Sequence, residues 1–157
     1  MNQDDFFLAR AIELAQKGSE LGEGGPFGAV IVREGKIIAE GWNRVVTSHD
    51  PTAHAEISAI RSACAAVDSF HLPNSTLYAS SEPCPMCLGA IYWARPKVIY
   101  FANNRQDASD IGFDDSMIYD EMAAGIESRK IPIISLGREE ALEVFKAWKE
   151  KADKITY

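Results

Sequence analysis

From Ala53 onward the apolar residues switch repeatedly between helical and strand spacing, and that alternation limits the chain to layered α/β arrangements. The run from about Ala53 to Ala66 is helical, with Ile57, Ile60, Ala63 and Cys64 on one stripe and Thr52 as its cap. Leu77-Tyr78-Ala79 is a short strand leading into Glu82-Pro83. A compact helix from about Pro85 to Ala94 stops before Arg95-Pro96, and Val98-Ile99-Tyr100-Phe101 is a continuous apolar run suited to a buried strand. Upstream, Ala29–Val32 and Lys36–Glu40 flank Glu34-Gly35 as a β-hairpin. Before it, Asp4 or Asp5 caps a first helix through Phe7, Leu8, Ala11, Ile12 and Ala15, which Gly18 ends, and Gly22-Glu23-Gly24-Gly25-Pro26 forms a loop. Downstream, Asn103 to Asp115 is polar and irregular. Ser116 to Ala124 reads as a helix, Ile131 to Leu136 as a strand, and Glu139 to Asp153 as an amphipathic helix through Leu142, Phe145 and Trp148. The expectation is a three-layer α/β/α domain around a central mixed sheet, continuous over residues 1–157 without repeat or linker.

A domain of 157 residues buries roughly 68–70% of the surface of its unfolded chain, enough for a core without disulfide staples. No run of about 18 apolar residues is available to cross a bilayer. The first twenty residues carry Asp4, Asp5, Glu13 and Glu20 and show neither a secretory nor a transit pattern, so a cytoplasmic location is expected. Sixteen Lys and Arg against 23 Asp and Glu give a net charge of −7. Proteins that grip a polynucleotide draw most of their affinity from cationic surface, so this balance favours a small uncharged or cationic ligand.

The three cysteines point to metal or redox chemistry rather than to a disulfide framework, because two of them share one short motif. In Pro83-Cys84-Pro85-Met86-Cys87 the thiols stand three apart at a helix start. Both can face one ion there, and the helix dipole favours their ionised form. Cys-x-x-Cys alone fits a structural zinc knuckle, a redox pair or a catalytic site equally. His54-Ala55-Glu56, at a second helix start, shifts that balance. His54 supplies a third ligand, and Glu56 is a carboxylate left over for proton transfer, provided the helix begins close to both, since residues two apart on a regular helix face nearly opposite ways. A structural site needs a fourth ligand from Cys64, His49 or His71. Cys64 lies on an apolar stripe and reads as core, whereas both histidines sit in polar loop sequence and read as exposed. Three protein ligands leave a tetrahedral zinc one position for water, whose pKa falls to roughly 7, and Glu56 is placed to take its proton.

The two motifs, His-x-Glu followed by Pro-Cys-x-x-Cys, form a signature of zinc nucleobase deaminases. Pro51–Arg61 and Glu82–Ile91 resemble the cytidine and deoxycytidylate deaminase superfamily. Within it the chain is similar to the short bacterial guanine deaminases, through Gly25–Ala29, Tyr92–Pro96, Gly112–Ser116 and the terminal Tyr157. Pyrimidine nucleoside deaminases place a cysteine where this chain has His54. Transfer RNA adenosine deaminases share both motifs but resemble the chain less after Phe101. The resemblance implies zinc on His54, Cys84 and Cys87, with Glu56 as proton carrier and Asp115 as a second catalytic carboxylate. It also implies that Asn43, Phe27, Ala55, Trp93 and Tyr157 contact a purine base, that guanine gives xanthine and ammonia, and that the protein is a homodimer exchanging its C-terminal segment. The residues keep other readings open: Trp93 suits a core, Asp114-Asp115 a solvated pair or a cap, Asn43 a turn, and Phe145 and Trp148 either exchange or packing within the chain.

Overall fold

The computed structural model describes residues 2–157, which fall into two compact units, one ending at Asp115 and one spanning Ser116–Tyr157. Among the described residues there are seven α-helices and one four-stranded mixed sheet. The first unit holds α1 (Gln3–Glu20), β1 (Gly28–Arg33), β2 (Lys36–Trp42), α2 (Val45–Ser48), α3 (Ala55–Ala66), β3 (Ser75–Ser81), α4 (Pro85–Ala94), β4 (Val98–Asn103) and α5 (Arg105–Asp110). The sheet runs β2-β1-β3-β4, with β1 antiparallel to β2 and to β3, and β4 parallel to β3. The β3–α4–β4 segment is therefore a parallel crossover through a helix.

Alternation along β1 builds the layers. Val30 and Val32 join Phe7, Ala11, Leu14 and Tyr78 beneath α1. Ala29 and Ile31 face the other way, into a core with Ala55, Ala59, Ala63 and Ile91 of α3 and α4. This gives the expected α/β/α sandwich. The hairpin also forms as read, Glu34 (φ 51°) and Gly35 (φ 71°) supplying the two positive φ values of a type I′ turn.

Several local expectations change. Asn2, not Asp4 or Asp5, caps α1. Its Oδ1 accepts from the Asp5 N–H at 2.8 Å while Asp5 Oδ2 accepts from the Asn2 N–H at 3.1 Å. Gly18 does not end that helix but lies buried within it, because Trp42 packs where a Cβ would stand only 2.5 Å from Cδ1. The segment after Asn103 is not irregular throughout. Asn104 and Asp107 form a capping box for α5. Val98–Phe101 is a strand, but β4 is the sheet edge and Tyr100 and Phe101 remain 40% and 46% exposed. A continuous apolar run marks cover on both faces, and within this chain the edge lacks it.

The second unit consists of α6 (Ser116–Ala123), a 3₁₀ turn at Ile126–Ser128 and α7 (Arg138–Glu150). Ile131–Leu136 forms no strand. Pro132 removes a donor from its middle, and β-branched residues favour a strand only where a pleated, half-buried surface receives them. None of the unit's described residues is buried.

Candidate active site

Two helix starts build the site. His54 is the N-cap of α3 (φ −70°, ψ 161°) and Cys84 the N-cap of α4 (φ −65°, ψ 167°), and neither side chain makes a capping hydrogen bond. The polar side chains thus point away from the helices they precede. Thr52 is not the cap. Its N–H and Oγ1 donate to Asp50 Oδ1 at 2.8 and 2.7 Å, closing the turn that delivers His54. A helix beginning at Ala55 resolves the facing problem posed by residues two apart, because His54 lies outside the helical turn that carries Glu56.

His54, Cys84 and Cys87 offer Nδ1 or Nε2 and two Sγ atoms that lie within 4.8 Å of one another, the only such group among the described residues. Zinc–sulfur bonds of about 2.3 Å and a zinc–nitrogen bond of about 2.0–2.1 Å, at tetrahedral angles, set sulfur and nitrogen about 3.6 Å apart. The observed Nδ1 separations are 3.6 Å to Cys84 and 3.5 Å to Cys87, so the donor set fits the ion. Without a metal the three groups share protons. Hydrogen bonds from Cys87 and then His54 bring the Cys84 thiol down to about 4 against the cost of burial. Cys87 is the donor in that pair and is pushed up accordingly, while the hydrogen bond to Cys84 raises the His54 imidazole. Metal ligands must be deprotonated, so binding an ion releases these protons.

Glu56 is buried beside the cluster, its Oε2 accepting from Cys87 Sγ at 3.4 Å. Burial, above all, pushes its carboxyl upward from the usual range. Asp115 is half-buried and likewise raised, by burial first and also by the field of Cys84, whereas Asp114 is exposed.

The remaining candidates divide. Asn43 is buried. Its N–H donates to the Phe27 carbonyl at 3.0 Å and its Oδ1 accepts from the Val45 N–H at 3.1 Å, so the amide does complete a turn and its NH₂ is oriented by it. The Phe27 ring meets Phe113 edge-on at 4.9 Å. Ala55 is fully buried in the first turn of α3, where its amide has no acceptor inside the helix. Trp93 is 61% exposed on α4, which excludes a core role within this chain, and Tyr157 is 69% exposed in the second unit. His71 departs from expectation by being half-buried, with Nε2 lacking a hydrogen-bond partner.

Residues 1–103 match the family model of the cytidine and deoxycytidylate deaminase zinc-binding region. The chain belongs to that family. Zinc is the cofactor of these deaminases, and His54, Cys84 and Cys87 are the group that could hold it. The chain is 54% identical to the guanine deaminase of Bacillus subtilis (strain 168) over 100% of both chains. It is also similar to that enzyme's X-ray structure, with a TM-score of 0.96 over 100% of this chain and 99% of the other. A transfer RNA-specific adenosine deaminase of Haemophilus influenzae is 44% identical over 71% of this chain and 68% of its own. A solved structure in complex with 8-azaguanine is 35% identical, with a TM-score of 0.68 over 71% of this chain and 65% of that one.

Two contacts near these residues are not legible in the sequence. Phe113 was visible only as part of Gly112-Phe113-Asp114, with nothing to pair it with Phe27 across 86 positions. Glu23 looked like one polar residue of a glycine-rich loop, yet it accepts from Trp42 Nε1 at 2.6 Å. Neither contact leaves a periodic or spacing signal.

Proposed function

We propose that the chain hydrolyses guanine to xanthine and ammonia. The observation that carries this reading is the extent of likeness: the guanine deaminase relative matches along the whole chain, whereas the transfer RNA deaminase matches 71% of it. The net charge of −7 supports a free base over a polynucleotide.

His54, Cys84 and Cys87 would hold the zinc, which when bound would supply a Lewis acid able to make water nucleophilic at neutral pH. The buried Glu56 takes a proton from the attacking water and delivers it to the ring nitrogen beside C2. Asp115, as a second carboxylate towards the exocyclic amine, passes the remaining proton of the added hydroxyl to that amine, so that the C2–N bond breaks, ammonia leaves and the C2 carbonyl of xanthine forms. Asn43 donates its NH₂ to the purine, Phe27 stacks on the ring, Ala55 offers its backbone, and Trp93 and Tyr157 close over the base.

The protein acts as a homodimer in which Tyr157 serves the partner's site. In support, Leu136 (94% exposed) and Phe145 (72%) of the second unit, and Tyr100 and Phe101 of the β4 edge, are apolar surface that a second copy would cover. Its thiol ligands suit the reducing cytoplasm.

The test is ammonia release from guanine, cytosine, adenine and a transfer RNA stem-loop by zinc-loaded protein, with the particle mass read by light scattering. Xanthine from guanine at twice the chain mass is the expected result. No turnover of guanine refutes the activity, and a monomer refutes the exchange.

A further inference from the structure

We infer that Glu23 is a positioning residue for the purine, setting the substrate affinity of the site without taking part in the chemistry. This rests on the assignment of Asn43 and Phe27 as purine contacts.

Asn43 is flanked in sequence by Trp42 and Arg44, and both neighbours are tied to the same atom. Glu23 Oε2 accepts from Trp42 Nε1 at 2.6 Å and is ion-paired with Arg44 Nε at 3.2 Å. The Glu23 backbone carbonyl meanwhile accepts from the N–H groups of Val46 and Thr47 at 3.2 and 3.3 Å, just beyond Asn43. Three hydrogen-bond donors and one ion-paired guanidinium from the six residues 42–47 thus converge on one loop residue. The side chain of Glu23 is only 22% exposed, and Lys17 lies 4.6 Å above the Trp42 ring, so the latch is partly shielded from water.

The next two residues transmit that hold. Gly24 is pressed against Asn43 so closely that a Cβ there would overlap Oδ1 and stand 2.7 Å from the backbone oxygen. A Cβ on Gly25 would stand 2.9 Å from Phe27 Cε2 and 2.8 Å from Phe113 Cζ. The loop therefore wedges the amide of Asn43 and the ring of Phe27, and Glu23 keeps the wedge in place. Cys84, Cys87 and Glu56 stand on other elements, and the latched segment meets the metal group only beside His54, where the Arg44 N–H donates to the Ala53 carbonyl at 2.9 Å.

Glu23→Ala removes the partner of both side chains. We expect KM for guanine and the Kd for 8-azaguanine each to rise about tenfold, with kcat within about twofold and zinc content at the wild-type level. Glu23→Gln, which keeps one acceptor for Trp42, should lose only about two- to threefold. Combining Glu23→Ala with Trp42→Phe should cost less than the sum of the two single effects. Unchanged KM and Kd, or a fall in kcat at constant KM, in either Glu23 variant overturns the inference, even if the melting temperature drops. If the wild-type protein turns over another base and not guanine, the function proposed above fails. The same split, read with that base, then decides the role of Glu23.

Discussion

Glu56→Gln should lower ammonia release from guanine by about 10²–10⁴-fold or more while zinc content stays at the wild-type level. The glutamine keeps the shape of the side chain beside Cys87 Sγ, which lies 3.4 Å from Oε2, but cannot carry a proton. The three atoms that fit a tetrahedral ion belong to His54, Cys84 and Cys87, so the ion should stay. Stability offers an independent check. Burial raises the folded pKa of Glu56 above its unfolded value, so the ionised carboxylate costs stability once the pH climbs through that unfolded value. Metal-stripped Glu56→Gln should therefore be at least as stable at neutral pH as metal-stripped wild type. Loss of zinc together with activity would make Glu56 a ligand, and activity within a few-fold of wild type would hand the proton to another group.

Gly41→Ala should lower the unfolding free energy by about 1–3 kcal/mol and weaken zinc retention. Gly41 lies in β2 opposite Ala29, beneath the first turns of α3. A Cβ there would overlap the Ala55 carbonyl oxygen and stand 2.6 Å from the Ala59 nitrogen and 3.1 Å from Ser58 Cβ. Two of those three neighbours are backbone, so no rotamer change relieves the clash and α3 must lift from the sheet. His54 caps that helix and would move with it, away from two thiols that α4 holds in place. Gly89→Ala on α4 is the control: its Cβ would meet nothing within 4 Å, and alanine is the better helix former by about 1 kcal/mol. Denaturant midpoints and zinc competition against a chelator read both variants. A Gly41→Ala protein with unaltered midpoint and affinity would mean that the close approach sets neither.

How far the sequence reveals this molecule depends on the range of each signal. The hairpin and the two helix starts were legible because each is specified within a few residues, as Glu34-Gly35 specifies a primed turn and Cys84-Pro85 a helix entry. The metal group was legible because ligand spacing is itself local chemistry. Gly18 misled because a glycine that ends a helix and one that admits an indole look alike until Trp42 is in place. Ile131–Leu136 misled because β-branched residues report a preference for a surface, not the existence of one. Phe113, Glu23 and the half-buried His71 depend on contacts between distant segments, which no window of sequence contains.

His54 and Cys84 occupy the N-cap positions at which Asn, Ser or Asp ordinarily satisfies the open amides of a first turn. Each is instead committed to the same point in space from 30 residues away in sequence. One ion held there would anchor the beginnings of α3 and α4 together, so that the two helix starts would be ordered or released as a single cooperative unit. Metal occupancy and the local folding of the catalytic turn would then be one equilibrium rather than two.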